Sequence, residues 1–328
     1  MLEVCVVGFG ALGSFYSFAL ERSGQARVTA VCRSSYETVK DHGLDVDSNV
    51  LGKYDAWRPY RVVASTQEAA DRQYRFVVCT FKALPDVIST PDLLGPLLDH
   101  GDSFVLIQNG VGVEGALRRR LPMTTIISGC AWIDATIVEK GRLLTQYGPE
   151  RLTLGVHPLT DGKPEEESLE ILTDLLLKGG TTPEPESDIV AQRWRKVLWN
   201  VAYSSLCTVS RATMRELLAE PHIELVNATI KEIMGEIILV ARMSGIHTGT
   251  LLEDEAVDII RRVKPTDFKP SMLVDLEANR PIEVEVILGE VVREAAEVGV
   301  PVPRLQVLYT SLKAIQHKLL ANRRQSQL

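Results

Sequence analysis

No apolar run in the 328 residues approaches the roughly 20 needed to cross a bilayer, so a membrane-spanning helix is not expected. A cationic excess is also missing. There are 36 Lys and Arg against 43 Asp and Glu, a net charge of -7, which argues against nonspecific binding to nucleic acid or to an anionic membrane surface. The five cysteines are odd in number and scattered, with no C-x-x-C pair, and no His cluster has metal-ligand spacing. A disulfide framework and a metal site are therefore not expected. The cysteines read as buried thiols of a reducing compartment. A first strand beginning at Leu2 leaves no room for a signal peptide, so the expected location is cytoplasmic. Gly 23 and Pro 16 show no collagen-like or low-complexity bias, and no internal repeat is visible. The chain is an ordinary folded protein, and at this length two domains are expected rather than one.

The first half alternates short β-rich runs with helical stretches, the pattern of a parallel sheet covered by helices. Strands are expected at Leu2 to Val7, Val28 to Cys32, Phe76 to Thr80, Phe104 to Ile107 and Thr125 to Cys130. A helix is expected over Ala11 to Ser23. From Trp132 to Gly155 the reading becomes antiparallel, with turns at Lys140-Gly141 and Gly148-Pro149. The stretch from Gly179 to Pro185 reads as a connection. Beyond it, Ile189 to Ala202, Ile223 to Ser244, Leu251 to Val263 and Ile282 to Val298 space apolar residues by three and four, as helices do. Gly299, Pro301 and Pro303 are expected to terminate the last of them. The fold class is thus α/β: an N-terminal Rossmann-type dinucleotide-binding domain over residues 1–182, then a mainly α-helical C-terminal domain over residues 183–328.

The dinucleotide reading rests on Gly8-Phe9-Gly10-Ala11-Leu12-Gly13, which follows a strand at once and opens a helix. Gly8 permits the tight turn, Gly10 lets a pyrophosphate approach the backbone, and Gly13 lets helix and strand pack closely. The backbone around Ala11 and Leu12 then points unpaired N–H groups and the positive helix end at the phosphates. The second strand ends at Cys32 and is followed by Arg33, where an NAD enzyme usually carries an acid to bind the ribose. A cation there suits a 2′-phosphate, which favours NADPH/NADP as cofactor.

Taken in order, the glycine motif, Phe81-Lys82-Ala83, Gln108-Asn109-Gly110-Val111-Gly112, Arg195-Lys196-Val197-Leu198-Trp199-Asn200 and Ser271-Met272-Leu273-Val274-Asp275 resemble the ketopantoate reductase family. The resemblance covers nearly the whole chain. It implies an NADP-dependent oxidoreductase that reduces 2-dehydropantoate, or a close 2-oxo acid, to the (R)-2-hydroxy acid in pantothenate biosynthesis. By resemblance, Lys196 is the general acid and Glu283 the second catalytic residue, helping to hold the lysine and the substrate hydroxyl. Asn200 and Ser271 are substrate contacts, Asn109 serves both substrate and cofactor, and Lys82 lies towards the nicotinamide. Asp275 takes the place of a family acid that holds the Ser271 turn. One position departs from the pattern: where the family carries a second asparagine a helical turn beyond Asn200, this chain has Ser204. Serine offers one hydroxyl where an amide offers donors and an acceptor, so the substrate's far end is held differently.

Without the resemblance, Lys196 beside Arg195 reads better as a solvated helix face, and Glu283 near Glu285 as an exposed helix acid. The alternatives are a related dehydrogenase of 3-hydroxy acids or opines, and a non-catalytic NADP sensor. The expected partner is a small 2-oxo acid, with no nucleic acid or membrane; a homodimer is compatible with the apolar helices. The final Ser326-Gln327-Leu328 faintly resembles a peroxisomal address, the alternative to a cytoplasmic location.

Overall fold

A computed structural model describes residues 1–138, 141–159, 166–246 and 248–325. The C-terminal tripeptide considered as an address lies outside the described residues, as does Lys140 of the expected Lys140-Gly141 turn. The chain divides into two compact units. The first comprises residues 1–83, 88–108 and 113–189; the second comprises 84–87, 109–112 and 190–328.

Among the described residues, the first unit is built on ten strands: β1 (Leu2–Val7), β2 (Ala26–Val31), β3 (Leu44–Ser48), β4 (Gly52–Trp57), β5 (Arg61–Val63), β6 (Tyr74–Cys79), β7 (Gly101–Ile107), β8 (Thr125–Val138), β9 (Leu143–Val156) and β10 (Pro183–Pro185). They form one sheet in the order β4-β3-β9-β8-β7-β6-β1-β2-β5, with β10 also pairing with β9. From β5 to β8 every pairing is parallel. Such strands are covered on both faces, which is why they are written in near-continuous apolar residues such as Val4 to Val7 and Phe76 to Cys79, all buried. The Ala11–Arg22 helix packs Phe15, Phe18, Ala19 and Leu20 into the same core, along with Leu172, Leu175 and Leu176 of the Glu166–Lys178 helix. The Rossmann-type expectation for this half holds.

Details differ from the expectation for physical reasons. Strands β3 to β5 escape a reading based on apolar runs because β4 is almost wholly exposed and β5 is three residues long. Gly148-Pro149 does not reverse the chain. β8 pairs antiparallel with β9 on both sides of it, with a register shift after Trp132, so Gly148, at φ +70°, sits in an irregularity inside β9. The stretch read as a connection contains β10, whose Pro183 to Pro185 pair with Leu152 to Leu154. Prolines are tolerated there because β10 is a short edge strand.

The second unit is helical, with helices over Ile189–Trp199 (entering from the first unit at Ile189), Ser205–Ser210, Ile223–Met243, Leu251–Arg262, Ser271–Glu277, Glu290–Glu297 and Pro303–Gln325. Two of the expected helices are interrupted by π-helical turns, at Asn200–Ser204 and Glu285–Gly289. Such wider turns recur at functional sites because they re-aim side chains. The core is Val197, Val201, Ile233, Ile237, Leu273, Leu305 and Leu312. The expected stop at Pro303 is instead the first residue of the 23-residue Pro303–Gln325 helix. Proline has no N–H to satisfy and is pre-set for that position. Among the described residues, no helix is long and apolar enough to cross a membrane.

Candidate active site

In the first unit the glycine motif forms a loop between β1 and the Ala11–Arg22 helix. Gly8 has φ +99°, and a Cβ there would stand 2.5 Å from the Phe81 backbone nitrogen. A Cβ on Gly13 would collide with the Gly8 carbonyl and lie 2.6 Å from Thr80 Oγ1. The Thr80 hydroxyl donates to the Gly8 carbonyl at 2.6 Å, tying the loop to the end of β6. Gly10 is different: it is exposed, and a Cβ there would meet nothing within 4 Å. The fold needs Gly8 and Gly13 bare, whereas at Gly10 the open space is where a phosphate can approach the backbone at the helix amino end. Ala11 and Leu12, half-buried, begin that helix, and the Ser14 N–H donates to the Gly10 carbonyl at 2.8 Å.

Arg33 is exposed, two residues past β2, while the preceding Cys32 N–H is held by the Val63 carbonyl at 2.9 Å. The side chain therefore leaves an anchored strand end. Lys82 is also exposed. The backbone beside it is fixed, because the Gln108 amide donates to the Phe81 carbonyl at 2.8 Å. The loop and the helix end together fit the pyrophosphate of a dinucleotide.

All five cysteines are buried. Burial pushes the Cys5, Cys32 and Cys207 thiols up to about 12, and Cys79 is raised by the same cause. These four stay protonated at neutral pH, which leaves them poor nucleophiles.

In the second unit the structure brings together Lys196, Asn109 and Glu283, which are far apart in sequence. Lys196 Nζ donates to Asn109 Oδ1 at 3.0 Å, and Asn109 Nδ2 donates to Glu283 Oε2 at 3.2 Å. The amide of Asn109 thus bridges ammonium and carboxylate. Its own backbone is held by neighbours in the unit: the Val111 N–H donates to the Val286 carbonyl at 2.9 Å, and Arg193 Nη1 donates to the Gly110 carbonyl at 2.8 Å. Gly110 has φ +89°, and a Cβ there would strike the Val286 carbonyl. This segment can lie so close to the π-helical turn only because residue 110 is glycine.

Asn200 and Ser204 occupy the first and last positions of the other π-helical turn. Both are buried, and neither Asn200 Nδ2 nor Ser204 Oγ has a hydrogen-bond partner among the described residues; the buried Ser205 Oγ is in the same state. By contrast, Thr208 in the following helix donates back to the Ser204 carbonyl at 2.6 Å, the usual outlet for a helical hydroxyl. Each unmade buried hydrogen bond costs about 1–3 kcal/mol. A polar ligand reaching these atoms would recover that cost. Ser271 is exposed at the start of its helix. Asp275, in the same helix, accepts from Arg280 Nε at 3.0 Å.

Two residues of this constellation are not anticipated from sequence. Arg193 lies three residues before Lys196 and is 2% exposed, a burial that a charged residue in a mixed helix does not announce. Glu285, next-but-one to Glu283, is not a solvated acid. It accepts from Lys313 at 2.6 Å, Arg293 at 2.7 Å and Tyr309 at 3.0 Å. Burial raises its pKa, but these donors outweigh burial and hold the carboxyl below its ordinary value.

Comparison with known proteins identifies the family. The family model described as ketopantoate reductase PanE/ApbA matches residues 4–158, and the one for its C-terminal part matches residues 188–316. A crystal structure of 2-dehydropantoate 2-reductase from Methylococcus capsulatus is 31% identical, covers 97% of this chain and 98% of its own, and superposes with a TM-score of 0.80. A 2-dehydropantoate 2-reductase from a Nostoc species is 29% identical over 95% of this chain and 94% of its own length. A D-mandelate dehydrogenase solved with NADH and anilino(oxo)acetate, 22% identical, covers 97% of this chain and 99% of its own with a TM-score of 0.82, a likeness of fold. Matched by the family's models in both halves, the chain belongs to the ketopantoate reductase family.

Proposed function

We propose that the protein is an NADPH-dependent reductase of 2-dehydropantoate or a close branched 2-oxo acid, yielding the (R)-2-hydroxy acid. Residues 1–182 supply the cofactor site, with Gly8, Gly10, Ala11, Leu12 and Gly13 at the pyrophosphate, Arg33 at the 2′-phosphate and Lys82 towards the nicotinamide. Residues 183–328, joined by Asn109, supply the substrate site. The observation that carries the reading is the hydrogen-bonded series Lys196, Asn109, Glu283, with links of 3.0 and 3.2 Å, in the unit that also buries the unpaired Asn200 and Ser204.

When bound, the cofactor supplies hydride to the keto carbon, and negative charge builds on the carbonyl oxygen. Lys196 is the proton source for that oxygen: its ammonium stabilises the charge and then gives up a proton. Asn109 orients the ammonium by accepting from it, and Glu283 orients Asn109 by accepting from its amide. Asn200 and Ser204 offer a donor amide and a hydroxyl to the remaining polar groups of the substrate. Ser271 contributes from the start of its helix.

The test is NADPH absorbance on adding 2-dehydropantoate and a panel of branched 2-oxo acids, with NADH run in parallel. Oxidation of NADPH faster than of NADH by at least one of them is expected. NADPH binding without turnover of any panel member sinks the reading and returns the sensor alternative.

A further inference from the structure

The Pro303–Gln325 helix presents Tyr309, Lys313 and Gln316 at spacings of four and three, hence on one face. All three meet residues flanking Glu283. Lys313 and Tyr309 hold Glu285, two residues after it. Gln316 holds Ile282, the residue before it: the Ile282 N–H donates to Gln316 Oε1 at 2.9 Å. Glu283 lies in the short irregular stretch between the Ser271–Glu277 helix and the π-helical turn. The Ile282 N–H precedes the helix that opens at Val284 and the residue is buried, so this donor needs a partner away from water. Gln316 fills that need with its side chain, and it is 1% exposed.

An amide can rotate and exchange its two ends unless both are engaged. Here both are: Gln316 Nε2 donates to Asp86 Oδ2 at 3.1 Å, and Lys313 Nζ lies 3.6 Å from the same oxygen. Asp86 therefore fixes which end of Gln316 faces Ile282, because a carboxylate can only accept. Asp86 belongs to the second unit and follows Lys82 by four residues in the chain.

We propose that Gln316, oriented by Asp86, is a positioning residue for Glu283: it clamps the Ile282 backbone so that the Glu283 carboxylate meets the amide of Asn109. This rests on the reductase reading above. In the reaction Gln316 touches neither substrate nor cofactor; it limits how far Glu283, and through Asn109 the Lys196 ammonium, can drift. Misplacement of catalytic groups by about 1 Å costs up to about a hundredfold in rate, so a measurable loss of kcat is expected.

The experiment is a cycle of four full-length proteins, wild type, Gln316→Leu, Glu283→Gln and the double variant, with kcat and the KM for NADPH and 2-oxo acid measured well below each melting temperature. Gln316→Leu is expected to lower kcat about tenfold or more while KM for NADPH stays within about twofold. In the Glu283→Gln background the same change should cost less than about twofold, because the group it positions is already altered. Equal losses in both backgrounds, or an unchanged kcat, overturn the proposal while leaving the reductase reading intact. Absent turnover in the wild type overturns both. If Gln316→Leu does not fold, Gln316→Glu and Gln316→Glu with Asp86→Asn replace it. The single change sets two carboxylates together and should lose rate, whereas the pair restores a donor opposite an acceptor and should recover most of kcat; no recovery overturns the proposal.

Discussion

The glycine loop of the first unit and the Lys196 cluster of the second are built on opposite plans. The loop works by omission: six consecutive residues, three of them without side chains, leave backbone N–H groups and open space at Gly10. The cluster works by convergence. Its three side chains come from positions 87 and 174 residues apart and are held by a close backbone contact at Gly110 and by buried supports such as Arg193. A site made of backbone needs a local motif; a site made of side chains needs the whole unit to fold around it.

The strongest test of this contrast removes a side chain from the convergent site. Lys196→Ala should lower kcat at least about a hundredfold, the scale of losing a general acid, with NADPH binding by titration unchanged. A near-normal kcat would take Lys196 out of the mechanism. Next in size is Gly110→Ala. Its φ of +89° and the approach of the Val286 carbonyl leave no room for a Cβ, so Asn109 must shift. Expected are a loss of about 1–3 kcal/mol in stability and about a tenfold lower kcat; an unchanged crystal position of Asn109 with normal kcat would break the argument.

Gly10→Ala probes the omission plan. Because a Cβ there meets no protein atom within 4 Å, the melting temperature should hold, while KM for NADPH rises about tenfold. A lower melting temperature with unchanged KM would make Gly10 a folding glycine like Gly8 and Gly13. The smallest effect concerns Glu285. Its folded-state pKa lies below the ordinary 4.5, so the stability it contributes is present above about that pH and is lost as pH falls through the folded value. In Glu285→Gln the wild-type advantage at pH 7, about 1–2 kcal/mol given the half-exposed partners, should shrink in melts below about pH 4.5. A gap independent of pH would mean that Glu285 acts through packing alone.

The two plans also explain what could be read beforehand. The loop, the parallel strands and the long amphipathic helices carry local patterns, and they appear in the structure within a few residues of expectation. Lys196, Asn109 and Glu283 have no such pattern, and taken alone each reads as a solvated or loop residue. Only the resemblance to a family grouped them. The exposed β4 and the three-residue β5 bury too little to leave a trace in sequence. The Pro303–Gln325 helix was hidden because proline marks both the end of one helix and the start of another. Arg193, Glu285 and Gln316 were illegible because their roles depend on partners contributed by distant segments.

The sheet order has a consequence for how the chain is made. Hairpin β3–β4 does not dock beside β2, which precedes it, but through parallel pairing of β3 with β9, Asp45 opposite Leu143. The buried Ser48 hydroxyl donates to Gln146 across a separation of 98 residues. A ribosome adding about 5–20 residues per second would need on the order of 5–20 s to supply that partner. Throughout that interval the β3 edge that takes β9 lacks its partner, and Asp47 on that strand is ion-paired with Lys53 of β4 at 2.9 Å. A charge on that strand disfavours its pairing with a neighbouring chain before β9 is available.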